Sequence, residues 1–186
     1  MNEWPCGAGR VLISLARCAI AEVLGIPSES VFDEASWVSQ PGASFVTLTI
    51  AGQLRGCIGS LSAYQPLSDD VRDNAVSAAF HDPRFPALSG REFTQIHIEV
   101  SVLSPAQPLS FSSKQDALTK LRPGVDGVIL MARRRRATFL PQVWEELSDP
   151  AEFIAHLMNK AGLPADFWDD SVRIETYSVT AFEESD

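Results

Sequence analysis

The chain has 186 residues, 45% of them hydrophobic, and its 15 basic residues against 24 acidic ones leave a formal charge of −9. That composition excludes a disordered or fibrous chain, and a length well under ~250 residues predicts one domain, 1–186, with its core over about 10–182. The acidic balance makes nucleic acid an unlikely partner, because phosphate binding draws on a basic surface.

Val11, Leu12, Leu15, Ala16, Ala19, Ile20, Val23 and Leu24 recur at helical spacing. Gly25 before Ile26-Pro27 ends that helix. Ser14, Arg17 and Glu22 interrupt the stripe, so it is not expected to cross a bilayer, and without a small-residue cleavage site after a basic start it is not expected to be a signal peptide. The expected location is cytoplasmic. Residues 28–44 read as polar and turn-rich. Val46, Leu48 and Ile50 then alternate with Phe45, Thr47 and Thr49 as a strand. Ala51-Gly52-Gln53 makes the turn, and Leu54–Gly59 returns.

Ser68 is placed as the cap of a second helix, with Asp69 and Asp70 in its first turn and Val71, Ala75, Ala78 and Ala79 on its buried side. His81-Asp82-Pro83-Arg84-Phe85-Pro86 is a connector stiffened by two prolines. Ile96, Ile98, Val100 and Val102 alternate as the clearest strand. A short helix follows at Ser112–Leu121, then a strand at Val128–Met131, an arginine tip at Arg133–Arg136 and a return strand at Ala137–Leu140. Pro141–Leu147 gives a turn or two of helix. Asp149 caps a last helix that ends near Gly162, and Val172–Val179 is the last strand. Interspersed helices and hairpin-linked strands predict an α+β fold with a largely antiparallel sheet and flanking helices.

Cys6, Cys18 and Cys57 are odd in number and widely spaced, which excludes a disulfide framework. No CxxC exists, and His81, His97 and His156 are scattered. No metal site and no tightly bound cofactor are therefore expected.

The most informative segment is Leu54-Arg55-Gly56-Cys57-Ile58-Gly59. Glycines inside a strand mark a bulge or a close approach. In an extended chain Arg55 and Cys57 share one face at roughly 6.5–7 Å, and a guanidinium beside a thiol favours the reactive thiolate. The alternative is a buried, inert cysteine. Leu54, Gly56, Ile58 and Gly59 would line such a site. His81 and His156 are candidate proton carriers for a Cys57 nucleophile, with Arg55 its electrostatic partner. Asp82 and Arg84 either orient a ligand or pin their own turn, and Glu99 is either an acid–base group or part of a solvated sheet face. Arg133–Arg136 reads either as a tip that binds phosphate or RNA or, on so acidic a chain, as a solvated hairpin that discourages edge pairing.

The hexapeptide resembles the signature of the AMMECR domain family. Ala78–Phe85, Glu99–Ser104, Gly124–Val128, Ala137–Trp144 and Lys160–Leu163 resemble its further hallmarks in order, from about Arg10 to Phe182. Met158 stands where many relatives carry a cysteine. The resemblance implies an α+β fold of two unequal subdomains with the signature near the cleft between them. It also implies a protein like component A of the AmmeMemoRadiSam system, with Memo-type and radical SAM proteins as partners and no established activity. Two functions follow as expectations. One is an accessory enzyme or ligand-binding component. The other is a non-catalytic adaptor in which the signature is structural.

Overall fold

The structure is a computed structural model that describes residues 4–28 and 36–184. The chain falls into two units, residues 1–103 with 180–186 and residues 104–179. The expected helix forms over Ala8–Leu24 (α1), buries Leu12, Leu15, Ala16, Ala19 and Ile20, and stops at Gly25, whose φ of 66° is left-handed. Residues 28–44 were expected to be polar and turn-rich, closed by Pro41-Gly42. Part of that stretch lies outside the described residues, and its end is strand: β1 runs over Pro41–Ile50. The extension is held by pairing of Pro41 and Gly42 with the two-residue strand Gln65–Pro66.

β2 (Gln53–Gly59) returns along β1 through a tight turn at Ala51 and Gly52, and Gln65–Pro66 is β3. The second helix, α2, spans Leu67–Phe80. Ser68 is not its cap: it lies inside the first turn, and the capping position is Pro66, whose side chain bonds nothing. Asp70 instead turns its carboxylate to the sheet. It accepts the Ser44 amide and hydroxyl at 2.7 Å each, Asn74 Nδ2 at 2.9 Å, and the Ser60 hydroxyl. A buried carboxylate is tolerable only with such partners, and these fasten α2 to β1. A one-turn helix, α3 (Gly90–Phe93), opens on a capping box between Ser89 and Glu92. β4 (Ile96–Leu103) pairs antiparallel with β1, from Ala43 opposite Leu103 to Ile50 opposite Ile96. Val46, Leu48, Ile98 and Val100 point to α1 and α2 and form the core with Leu12, Ile20, Val71 and Ala75.

The second unit holds β5 (Gln107–Pro108), α4 (Lys114–Lys120), β6 (Gly127–Ala132), β7 (Arg135–Phe139), a 3-10 turn at Pro141–Glu145, and α5 (Pro150–Lys160). Asp149 caps α5 as expected, accepting the Glu152 amide at 3.2 Å. The predicted last strand splits at Ser178. β8 (Arg173–Tyr177) pairs with β6 and β5, whereas β9 (Val179–Glu183) lies beside β4. There are thus two sheets rather than one, β2-β1-β4-β9 and β5-β8-β6-β7, in an α+β fold whose registered strand pairs are antiparallel. Phe153, Ile154 and Leu157 of α5 pack on Val128 and Leu130 as the second core. No described helix is long and apolar enough to cross a membrane.

Candidate functional site

β2 is an edge strand, so alternate backbone groups face away from β1. At Cys57 those groups are met by the connector after α2. Asp82 Oδ2 accepts the Cys57 amide at 2.9 Å, and Arg84 Nη2 donates to the Cys57 carbonyl at 3.3 Å. The two clasping residues are joined to each other. Arg84 donates Nε to Asp82 Oδ1 at 2.9 Å and Nη2 to Oδ2 at 2.7 Å, and the Arg84 amide adds 3.1 Å to Oδ1. An Asp-Pro-Arg turn therefore occupies the place of a missing neighbouring strand. Asp82 is only 4% exposed. The Arg84 guanidinium holds its carboxyl well below the usual carboxylate range, against burial, with help from the Cys57 and Arg84 amides.

The side chain of Cys57 points away from the helices. Opposite residues of an antiparallel pair share a face, and Cys57 stands opposite Thr47, which stands opposite Glu99. Thr47 Oγ1 donates to Cys57 Sγ at 3.3 Å. Glu99 accepts the Ser101 hydroxyl at 3.0 Å, and two strand spacings, about 10 Å of backbone, separate it from Cys57. The row Cys57, Thr47, Glu99 is the polar face of the signature.

Arg55 does not stand beside the thiol as an extended strand would place it. The pairing slips between Leu48 and Thr49, so Gly56 faces Leu48, Leu54 faces Thr49, and Arg55 is the bulged residue between them. Its guanidinium is buried, donates to Glu92 Oε1 at 2.9 Å and the Pro86 carbonyl at 2.9 Å, and lies 5.8 Å from the Phe85 ring centre. Nη1 is buried without a hydrogen-bond partner. The Glu92 carboxyl is lowered to about 2, first by Arg55 and then by the Ser89 amide and hydroxyl. The cation that reaches the Cys57 peptide is Arg84.

The glycines of the signature have packing causes. A β-carbon on Gly56 would meet the Ala78 carbonyl oxygen at 2.1 Å, and one on Gly59 would meet the Phe45 ring at 2.3 Å. Ile58 packs against the first core and Leu54 is exposed. His81 is exposed at the end of α2, and His156 is exposed on α5 in the second unit. Neither makes a hydrogen bond to Cys57. Thr47 and Glu92 are the site residues sequence reasoning missed. Ser89-Gly90-Arg91-Glu92 carries the capping-box spacing that would have found Glu92, whereas Thr47 needed the strand register.

Among the described residues no three metal-ligating side chains converge. An open groove of about 970 Å³ lies in the first unit between α1 and β9, crossed by the Arg17–Glu184 ion pair, and none of its lining residues belongs to the hexapeptide.

The AMMECR1 family model matches residues 13–182. A protein of Methanothermobacter thermautotrophicus is 41% identical over 180 residues, covering 95% of this chain and 94% of its own. A protein of Methanococcus aeolicus is 35% identical, covering 95% and 90%. The crystal structure of the uncharacterized protein PH0010 from Pyrococcus horikoshii superposes with a TM-score of 0.79 at 34% identity, over 95% of this chain and 91% of that one.

Proposed function

The chain belongs to the AMMECR1 family, and from that premise we propose that it is a cytoplasmic binding component that acts with Memo-type and radical SAM partners and presents Cys57, Thr47 and Glu99 to what it binds. One observation carries this reading. The other polar residues around the signature are committed to holding backbone: Asp82 and Arg84 clasp Cys57, and Arg55 with Glu92 ties β2 to α3. What is left facing outward is a thiol hydrogen-bonded by a threonine, with no histidine or carboxylate among the described residues bonded to it to take its proton. Nucleophilic catalysis by cysteine relies on such a base within hydrogen-bond reach. Binding through the row does not, and the rigid clasp favours binding because a strand already ordered pays little further entropy.

Calorimetric titration of the full chain against a purified Memo-type protein and a purified radical SAM protein tests the proposal. Binding to at least one of them, weakened roughly tenfold by Cys57→Ser combined with Thr47→Val, is expected. Binding to neither, or binding indifferent to both substitutions, overturns it. Turnover that consumes a Cys57 adduct would instead favour a catalytic thiol.

A further inference from the structure

The arginine tip of the second unit has no part in the site above. The chain's charge is divided unevenly. Six basic and fourteen acidic residues fall in the first unit, a balance of −8, while nine basic and ten acidic residues fall in the second, a balance of −1. Four of those nine are consecutive, at the β6–β7 turn.

That turn is built against local preference. Arg133 and Arg134 have φ of 46° and 69°, the left-handed region that two-residue hairpins normally fill with Asn or Gly. A tip that only kept an edge strand soluble would need no such strain. Arg133 is anchored: its Nε and Nη2 hold Asp169 Oδ2 at 2.9 and 2.7 Å, and its guanidinium lies 4.8 Å from the Phe167 ring centre. Arg135 reaches the Ala161 carbonyl at the end of α5. Arg134 and Arg136 are exposed and, among the described residues, make no ion pair.

The register adds a third cation. Met131 stands opposite Arg136 on one side and opposite Arg173 on the other, so the three share one face of the sheet. That face is the one away from α5, because the alternate residues Leu130 and Ala132 are in the core. Arg173 donates to the Asp170 and Val172 carbonyls and, among the described residues, joins no ion pair. Glu175, in the neighbouring row, pairs with neither arginine. The result is a row of two forked cations flanking a thioether, with Arg134 at its end.

We propose that Arg134, Arg136 and Arg173 form a docking surface for an acidic, glutamate- or aspartate-rich segment of a partner protein. Guanidinium groups match carboxylates two bonds at a time, and Met131 gives an adaptable apolar contact between them. A polynucleotide fits less well. No aromatic side chain stands in the row for a base to stack on, whereas paired carboxylates need only the guanidinium forks.

Fluorescence anisotropy with a labelled peptide of ten glutamates, on the full chain, tests the surface. Saturable binding is expected, weakening as salt rises, and falling by about tenfold or more in Arg136→Gln/Arg173→Gln. The charge-matched variant Arg10→Gln/Arg91→Gln should bind as the parent does. Arg134→Gly should raise the melting temperature, by relieving the turn, and weaken the peptide. Equal binding by the row variant and the charge-matched variant overturns the proposal. So does tighter binding of a labelled uridine decamer than of the peptide, or no saturable binding of the peptide at all.

Discussion

Asp82 stands in for a strand beside Cys57. Its Oδ2 accepts the Cys57 amide at 2.9 Å while Arg84, bonded to the same carboxylate, donates to the Cys57 carbonyl at 3.3 Å. An edge strand is normally open to pairing with other chains, and here a side-chain clasp closes it at the residue whose thiol faces outward.

Removing the acceptor should be costly. Asp82→Ala leaves the Cys57 amide unsatisfied and should lower the unfolding free energy by about 2–3 kcal/mol. Arg84 is half exposed, so Arg84→Ala should cost about 1 kcal/mol or less. Urea unfolding of the two variants measures the order, and an Arg84 cost as large as that of Asp82 would contradict it.

The glycines should rank by their contacts. Gly56→Ala drives a β-carbon into the Ala78 carbonyl, backbone that cannot swing aside, and should destabilise by about 3 kcal/mol or more. A β-carbon at Gly90 meets nothing within 4 Å, and Gly90→Ala should be nearly neutral. Thermal unfolding of both variants checks the difference.

Acid should loosen the region around Arg55. Glu92 is lowered to about 2 in the folded chain by Arg55 and Ser89, and Asp82 is lowered by Arg84. A carboxyl depressed by folding adds stability that is fully present above its unfolded value, near 4.5 for Glu92, and is lost as pH falls through the folded one. Stability of the parent should therefore fall more steeply between about pH 4.5 and 2 than that of Glu92→Gln. Chemical denaturation at stepped pH reads this, and parallel slopes would contradict it.

Much of this was legible in the sequence, and the failures share a cause. The stripe of α1, the alternation of β4 and the cap of α5 at Asp149 are local patterns, and each appears where periodicity or spacing puts it. The glycines of the hexapeptide correctly pointed to a close approach. The single-residue slip at Arg55 was not legible, because a bulge depends on the partner strand's register; it turns the guanidinium to Glu92 instead of the thiol. The split of the last strand at Ser178 was hidden for the same reason, since Arg173–Tyr177 and Val179–Glu183 read as one run until each finds a different sheet. Ser68 was a plausible cap by type, yet Asp70, two residues on, does the fastening through Ser44 and Ser60.

The division of labour within the hexapeptide is the central claim: Arg55 holds the strand and Cys57 is presented. Alkylation with a mild thiol reagent at neutral pH, in a chain carrying Cys6→Ser and Cys18→Ala, reads Cys57 alone. Mass spectrometry should find Cys57 modified in the folded protein, at a rate that Arg55→Ala leaves within about twofold while the same substitution lowers stability by about 1–2 kcal/mol. A Cys57 that reacts only when the protein unfolds, or one whose reaction slows tenfold when Arg55 is removed from a folded chain, would contradict that division.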